Sequence, residues 1–468
     1  MIKWVIPFYS ALPIFAQHMG CNIHGAHMNQ RFYGRKYREI LDQDIRRSFL
    51  SSKTLREYRD KKLRKFVEHA VRTTPYYRKL FSDFGLSVKD IQTLKDLSKL
   101  PILKKSDVQD YFEDLQSDIL PKDEKILINT SGTTGMPLNI YTTQIALIEL
   151  YAVWGRYYHW HGINPGEQWC AVFGARPWVD VSQKEPPFWR FNHFGRQIFF
   201  SAFHMTQHNI KYYISELRKR QPPWIQGFPS LIVLLANYLI ENKESLDYPV
   251  KHVTFGAENV FSYQIEAVKE AFGVRPRQHY GLVEAVANIS ECELGKLHVD
   301  EDFSAVEFAP RDDGTFSLVG TNFTNPAMPL IRYDTNDFIT LDETECDCGR
   351  PGRVVKEIDG RIEDYIVKMD GSKIAQMDSI FKGLSSIRAA QFYQDRPGAF
   401  TLRIVRGKTY SKSDERKLLV RIAVRVGPET DVKLDYVDEL ERSSGGKVRL
   451  FINKLMSPPS DMDASPQH

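Results

Sequence analysis

The chain has 468 residues, is 42% hydrophobic and 26% charged, and carries a formal net charge of +4. This length exceeds one ordinary hydrophobic core, so we expect a globular protein with two or three domains. The small net charge and the lack of a basic block give no reason to expect a nucleic-acid partner. No apolar run reaches the roughly 20 residues of a transmembrane segment. Five cysteines in so long a chain argue against a disulfide scaffold and favour a cytoplasmic location.

Residues 1–120 are predicted to form an N-terminal helical region. Trp4–Met19 is apolar but interrupted by prolines and followed by no small-residue cleavage site. We therefore expect an apolar helix that docks on the main body, with a secretion signal as the less favoured alternative. Apolar residues recur at helical spacing in Lys61–Ala70 and Tyr76–Phe84, which predicts two further helices.

Residues 121–360 alternate short apolar segments with helical ones, which indicates an α/β core domain. The predicted strands include residues 126–128, 169–173, 252–255 and 305–308, and the predicted helices include 209–219, 231–241 and 263–272. Residues 361–456 are predicted to form a small α+β domain with strands at 389–393, 400–405 and 432–436 and a helix at 413–426. The composition of residues 457–468 predicts a disordered tail.

A run of hydroxyl residues and glycines follows the first predicted strand of the core, namely Thr130, Ser131, Gly132, Thr133, Thr134 and Gly135. Glycines let a backbone approach phosphate oxygens closely, while hydroxyl and amide groups donate hydrogen bonds to them. The run is not a Walker loop, because no Lys-Ser/Thr pair ends it. The alternative is a solvated loop of the same composition.

This run resembles the phosphate loop of the adenylate-forming superfamily, which includes acyl-CoA synthetases, luciferases and peptide-synthetase adenylation domains. Four segments further along the chain resemble that family's motifs in the family's order: His279–Glu284, Tyr333–Asp337, Gly360–Ile366 and Ser443–Arg449. Three positions depart from the family pattern, since Leu138 stands for a lysine, Val283 for a threonine and Asn336 for a glycine. Asparagine and glycine both tolerate a left-handed backbone.

The resemblance implies a role for each matching residue. Tyr280, followed by Gly281, would stack near adenine, and Glu284 would hold magnesium. Asp337 would accept hydrogen bonds from the ribose hydroxyls. Gly256, Ala257 and Glu258 would line the adenine and acyl pocket. Arg361 would contact ribose or phosphate, and Glu363 would lie at the hinge. Lys447 would bridge the substrate carboxylate and the α-phosphate.

The region before the phosphate loop resembles one branch of this superfamily, the phenylacetate-CoA ligases, which includes the coenzyme F390 synthetase-like proteins and the CapK proteins. The resemblance there is carried by Phe66–Ala70, Thr74–Arg78 and Leu97–Lys105, and further along the chain Gly227–Ser230 also resembles this branch. It implies a large N-terminal α/β part made of several subdomains and a small mobile C-terminal α+β domain. With these segments it covers about residues 60–455.

Cys292, His298, Cys346 and Cys348 are candidate ligands of a structural zinc ion, because three cysteines and one histidine can bind it tetrahedrally. Some proteins of this branch bind zinc through similar residues. The alternative is three ordinary thiols and a histidine.

The resemblance implies that the protein uses ATP and magnesium to convert a carboxylic acid into an acyl-adenylate with release of pyrophosphate. Transfer of the acyl group to coenzyme A is the expected second step. Two alternatives stay open: a CapK-like ligase that transfers the acyl group to an amine or hydroxyl of a sugar or polysaccharide, and a non-catalytic nucleotide-binding relative. The sequence leaves the acid undetermined.

Overall fold

The computed structural model describes Tyr9 and residues 12–129, 138–174, 178–311, 315–342, 344–361, 365–370, 373–374, 377–381, 384, 386–407, 410–442 and 448–456. Its helices are α1 (Ile14–Phe32), α2 (Arg35–Arg47), α3 (Ser52–Thr73), α4 (Pro75–Asp83), α5 (Lys105–Asp110), α6 (Gln144–Trp160), α7 (Ile210–Arg220), α8 (Pro229–Asn242), α9 (Ser262–Phe272) and α10 (Lys412–Val426). Short 3-10 helices span Val88–Asp90, Leu94–Lys99, Lys122–Glu124, Met377–Phe381 and Lys454–Met456.

The strands lie mostly in the second and third quarters of the chain and near its end. They are β1 (Ile126–Asn129), β2 (Asn139–Thr142), β3 (Cys170–Gly174), β4 (Trp189–Asn192), β5 (Gln197–Ser201), β6 (Trp224–Gly227), β7 (His252–Gly256), β8 (Arg277–Gly281), β9 (Asn288–Glu291), β10 (Leu297–Val299), β11 (Ser304–Pro310), β12 (Phe316–Asn322), β13 (Tyr333–Leu341), β14 (Val354–Arg361), β15 (Ile366–Val367), β16 (Lys373–Ile374), β17 (Ile387–Arg396), β18 (Ala399–Arg406), β19 (Asp431–Tyr436) and β20 (Phe451–Asn453).

One large sheet has the order β11-β12-β13-β14-β10-β9-β8-β7-β6-β3-β5-β4 among the described strands. Its segment β5-β3-β6-β7-β8 is parallel. The ladder turns antiparallel from β8 through β9, β10, β14, β13 and β12 to β11. The predicted α/β fold class is confirmed, and the helices and strands predicted from residue 61 to 436 all occur, with ends shifted by a few residues or inside longer elements.

The parallel half is built from helices that return the chain between strands, as parallel pairing requires. Helix α8 shows how its sequence does this. Proline at the first helical position presets the backbone and lacks an N–H that would be unsatisfied there. Leu231, Leu235 and Leu239 then recur every four residues and are fully buried, so they lie on one helix face against the sheet.

A second hydrophobic cluster joins the N-terminal helices to the antiparallel half of the sheet. It contains Leu63, Tyr77 and Leu97 together with Val286 and Ala305. The N-terminal helical region therefore shares its apolar core with the α/β part.

A separate four-stranded sheet, β19-β18-β17-β20, lies at the C-terminal end of the described chain. Helix α10 packs on it through Leu418, Ile422 and Val426, in a hydrophobic cluster of its own. Ser411 and Asp414 form a capping box at the start of α10, which satisfies backbone donors that the first turn leaves unpaired. Within the described residues, no helix has both the length and the apolarity required to cross a bilayer.

Candidate active site and metal cluster

Three parallel strands end at the same edge of the large sheet and carry the segments singled out in the sequence. Gly227 of β6 pairs with Phe255 of β7, and Gly256 pairs with His279 of β8. The loops that follow these strands therefore lie side by side. The carboxyl ends of parallel strands are where ligands bind in open α/β sheets.

Glu258, in the loop after β7, connects two other segments of the chain. Its carboxylate accepts hydrogen bonds from the backbone N–H of Ser230 at 3.0 Å and from the Ser230 hydroxyl at 3.1 Å. It also accepts one from the backbone N–H of Val448 at 3.2 Å. Val448 directly follows Lys447 in the sequence, so the C-terminal segment that flanks the predicted catalytic lysine reaches the edge of the core sheet.

Tyr280 and Asp337, predicted to contact adenine and ribose, touch each other. The Tyr280 hydroxyl donates to Asp337 Oδ2 at 2.6 Å. Burial raises the pKa of Tyr280 well above its usual value, and the Asp337 carboxylate raises it further, so the phenol stays a proton donor. Asp337 itself is buried. Asn336, which precedes it, has φ of 59°, a left-handed conformation that asparagine tolerates better than most residues.

Glu284 lies in the turn after β8, close enough to Tyr280 for its charge to contribute to the raised pKa of that phenol. Its backbone carbonyl accepts a hydrogen bond from Asn322 Nδ2 at 3.1 Å, and Ala285 after it has φ of 56°. One half-buried carboxylate suits magnesium, which proteins commonly bind through one or two carboxylates together with substrate phosphates.

Of the other predicted site residues, Ala257 directly follows β7 with φ of 67° and Gly281 ends β8, and the rest lie wholly or partly outside the described residues. Those wholly outside are Thr130, Ser131, Gly132, Thr133, Thr134, Gly135, Glu363 and Lys447. The strands on either side of the predicted phosphate loop, β1 and β2, form an antiparallel pair in which Asn129 is opposite Asn139. For Arg361 the backbone is described, and it pairs with Asp337 between β13 and β14.

Leu138 and Val283, the two apolar residues that depart from the family pattern, differ in their surroundings. Leu138 is 1% exposed and belongs to the cluster beneath the N-terminal helices. Val283 is 40% exposed at the turn between Tyr280 and Glu284. A polar side chain would therefore be accommodated at position 283 without burial, whereas a lysine at position 138 would place a charge in the core.

A polar network behind Tyr280 was not predicted from the sequence. Asn288 Oδ1 lies 2.9 Å from His279 Nε2 and 3.2 Å from the indole nitrogen of Trp154. Burial lowers the pKa of His279 to about 4, so the ring is neutral and donates through Nε2–H to this oxygen. Asn288 Nδ2 in turn donates to the buried Asp300. No spacing in the sequence indicates this network, because its members come from α6, β8, β9 and the loop after β10.

The four candidate zinc ligands come together beside the antiparallel half of the sheet. Cys292 follows β9 and His298 lies on β10, while Cys346 and Cys348 lie between β13 and β14. Their ligand atoms all lie within 4.8 Å of one another. This convergence follows from the pairing of β10 with both β9 and β14.

The distances within this cluster are close to those of a tetrahedral zinc site. Zn–S bonds of about 2.3 Å and Zn–N bonds of about 2.05 Å give separations of about 3.8 Å between two sulfurs and about 3.6 Å between sulfur and nitrogen. The observed separations are 3.7 Å between the Cys292 and Cys346 sulfurs and 3.4 Å between Cys348 Sγ and His298 Nε2.

Two thiols of the cluster have shifted pKa values: at Cys292, burial is outweighed by hydrogen bonds, chiefly with His298, which lower the pKa. Burial raises the pKa of the Cys348 thiol to about 12, so a cation is needed to hold it as thiolate at neutral pH. Cys292 and His298 are buried, and among the described residues the His298 Nδ1 atom has no hydrogen-bond partner. Nε2 lies 3.4 Å from Cys348 Sγ, so it is the ring nitrogen that faces the sulfurs and the candidate ligand atom.

The C-terminal sheet docks on α8 and α9 of the core. Arg388 of β17 forms a salt bridge with Glu241 of α8, with Nε and Oε1 2.7 Å apart, and both side chains are about nine-tenths buried. The rings of Tyr263 and Phe381 lie 6.2 Å apart across the same interface.

Comparison with known proteins gives consistent matches along the chain. Residues 366–454 match the family model of the CapK C-terminal domain. Protein CapK of Staphylococcus aureus is 25% identical over 454 residues, which cover 96% of this chain and 99% of CapK. The phenylacetate-coenzyme A ligase of Thermus thermophilus is 26% identical over 339 residues, covering 68% of this chain and 73% of that enzyme. The chain is a homologue of CapK and of the phenylacetate-coenzyme A ligases.

Solved structures show the same fold. 2-Hydroxyisobutyryl-CoA ligase in its postadenylation state superposes with a TM-score of 0.68 at 17% identity, covering 87% of this chain and 91% of that one. The same ligase in its thioesterification state gives a TM-score of 0.52 at 18% identity, again over 87% and 91% of the two chains. Both superpositions show that this CapK homologue has the fold of that ligase.

Proposed function

We propose that the protein activates a carboxylic acid with ATP, forming an acyl-adenylate and pyrophosphate, and then transfers the acyl group to an acceptor. The observation that carries this proposal is the convergence at one sheet edge of Tyr280, Glu284 and Asp337 with the Glu258–Val448 contact. These residues come from motifs up to 190 positions apart, and the resemblance assigns each of them to the same reaction.

In the first half-reaction the substrate carboxylate attacks the α-phosphate, and negative charge grows on the phosphoryl oxygens. Lys447, in the segment that Val448 ties to Glu258, is the residue we assign to that charge, since a preorganised cation stabilises it most where water is excluded. Asp337 and Tyr280 would hold the nucleoside. Magnesium on Glu284, when bound, would neutralise part of the phosphate charge.

Lys447→Ala tests this assignment. We expect pyrophosphate release to fall by about 100-fold or more, as for other losses of a transition-state donor. Acyl transfer from a supplied acyl-adenylate should be largely retained, because the lysine acts in the first half-reaction. Lys433→Ala, which removes an exposed lysine of β19, is the matched control. Equal loss of both half-reactions would contradict the role given to Lys447.

Coenzyme A is the acceptor we propose first, because several homologues are coenzyme A ligases. A specific observation favours a second candidate, an amine or hydroxyl of a sugar. CapK matches this chain over nearly its whole length, and the C-terminal part matches the CapK family model. In our proposal that part, residues 361–456, pivots at Glu363 and presents the acceptor to the adenylate formed on residues 121–360.

An acceptor screen separates these candidates. A panel of carboxylic acids is first assayed for pyrophosphate release, and acids that respond are incubated with coenzyme A, amino sugars and neutral sugars while the products are identified by mass spectrometry. A thioester supports the first candidate, and an amide or ester supports the second. No pyrophosphate release with any acid, from protein that binds ATP, would favour the non-catalytic alternative.

ATP and coenzyme A as substrates, together with five free cysteines, make the cytoplasm the compartment we propose.

A further inference from the structure

Helix α1 and the residues before it have an unusual composition for a protein surface. No Asp, Glu, Lys or Arg occurs from position 4 to position 30. A helix on the surface of a globular protein normally carries charged residues on its solvent side. From Ile14 to Gln30 the solvent side of α1 carries no charged residue, and Arg31 in the last turn is the one charged residue of the helix.

One face of α1 is fixed to the core. Gln17, Cys21 and Gly25 are buried, and they recur every four residues, so they form one stripe. Asn22 Nδ2 donates to the Phe191 carbonyl of β4 at 3.2 Å, and the His193 N–H donates to Asn22 Oδ1 at 2.8 Å. These contacts determine which face of the helix points outward.

The outward face carries a second stripe with the same spacing. Phe15, Met19 and Ile23 are 70%, 60% and 66% exposed. Phe194, which is 56% exposed, belongs to the turn between β4 and β5 that packs on Asn22. We call these four residues the N-terminal apolar patch. Large exposed side chains that adjoin one another indicate a contact surface more often than isolated ones do.

Cationic side chains lie beside this patch. Arg196 is exposed in the same turn as Phe194. Arg220 ends α7, with its guanidinium carbon 4.6 Å from the centre of the Phe191 ring and its Nε 2.9 Å from Glu216 Oε1, and the exposed Lys219 precedes it. A symmetric contact between two copies of the chain would bring these cations towards one another, which disfavours self-association through this face. An anionic partner would be attracted instead.

We infer that the N-terminal apolar patch docks on the surface of an anionic lipid bilayer, with α1 lying along the interface. The eight residues before Tyr9 fit this occupant, because they include Trp4, Phe8 and three aliphatic residues with Lys3 as their one charge. Aromatic residues are favoured at the level of the lipid headgroups, and adjacent lysines and arginines are attracted to anionic headgroups. This inference is independent of the proposed reaction.

The test is co-sedimentation of the full chain with vesicles. Vesicles of equal parts phosphatidylglycerol and phosphatidylcholine are compared with vesicles of phosphatidylcholine alone. We expect binding to the anionic vesicles that weakens as salt is raised, because screening reduces the headgroup attraction. The triple variant Phe15→Ser, Met19→Ser, Ile23→Ser should lose at least about tenfold in partition coefficient, since burial of apolar side chains drives interfacial binding.

A matched control replaces three exposed apolar residues of α10, as Leu419→Ser, Val420→Ser and Val424→Ser, and should bind within about twofold of the parent. Met19→Glu gives a second, single-site variant if the triple variant does not fold, and it should weaken binding in the same direction. Three results would each overturn the inference. They are binding by both patch variants that equals binding by the parent, no binding of the parent to anionic vesicles, and equal binding of the parent to anionic and neutral vesicles. A dimer, seen by sedimentation velocity, that the patch variants dissociate would overturn it too.

Discussion

Cys346→Ser is expected to release zinc from the cluster of Cys292, His298, Cys346 and Cys348 and to lower the stability of the protein. The sulfur of Cys346 lies 3.7 Å from the sulfur of Cys292, close to the sulfur–sulfur separation of about 3.8 Å in a tetrahedral zinc site. Serine can occupy the same space, but its hydroxyl is not a ligand of comparable strength for zinc. The substitution therefore removes one of four bonds with little change in packing.

The size of the effect follows from the energetics of structural zinc. Four-ligand sites bind zinc with about 10–16 kcal/mol, so one ligand of four accounts for about 3 kcal/mol. A loss of about 3 kcal/mol corresponds to roughly 100-fold weaker zinc binding. Because four protein ligands leave no position for a reactive water, kcat of the variant that remains folded should change much less than its stability.

The measurement is elemental analysis of protein purified without a metal-affinity step, before and after dialysis against a zinc chelator, combined with thermal unfolding. Zinc near one equivalent in the parent and its loss in the variant would tie the metal to this cluster. Cys170→Ser is the control, since Cys170 is a buried thiol of β3 outside the cluster; it should cost stability without changing the zinc content. Zinc below about a tenth of an equivalent in folded, active parent protein would refute the reasoning, and so would full zinc retention in Cys346→Ser.

Four other substitutions address the nucleotide site, the buried position 138 and the docking of the C-terminal sheet. Asp337→Ala should raise the apparent KM for ATP with a smaller effect on kcat, because a ribose contact acts in ground and transition states alike; unchanged ATP affinity by calorimetry would show that the ribose contact lies elsewhere. Val283→Thr should increase adenylation several-fold, since it adds a hydroxyl donor at a position that is 40% exposed, whereas Leu138→Lys should lower the melting temperature by placing a charge in the core. Glu241→Gln leaves the buried Arg388 without its counter-charge and should weaken the docking of the C-terminal sheet on the core. We therefore expect pyrophosphate release to slow, whereas acyl transfer from supplied adenylate should keep its rate. A parallel loss of both rates would contradict this.

The elements of the fold could be predicted because local patterns determine them. The leucine spacing of α8 and the apolar runs of β3 and β7 identify these elements without tertiary information. The order of strands in the large sheet could not be predicted in the same way. The change from parallel to antiparallel pairing at β8 depends on contacts between segments far apart in sequence, and residue periodicity does not encode them.

The candidate site also has one part that the sequence predicts and another part that depends on contacts between distant segments. Tyr280, Glu284 and Asp337 could be named from the sequence because short motifs carry them, and their roles stay predictions. The ion pairs that hold their surroundings were missed: Arg156 is fully buried on α6 and bonds to Asp300 and Asp302 at 2.6 and 2.7 Å. A single arginine in a helix gives no sign of burial, since arginine is usually exposed. Its partners, more than 140 residues away, become apparent only when the chain is folded.

The two half-reactions of the proposed function depend on different parts of the chain. Residues that determine specificity for ATP and residues that determine specificity for the acyl acceptor should therefore lie in different parts as well. Every described residue assigned to ATP lies on the large sheet or in a loop that follows one of its strands, whereas in our proposal the C-terminal part presents the acceptor. The buried pair of Glu241 and Arg388 joins these parts in the present arrangement. Replacing the core residues assigned to ATP should therefore alter pyrophosphate release, and replacing C-terminal residues other than Lys447 and Arg388 should alter acyl transfer while leaving pyrophosphate release intact.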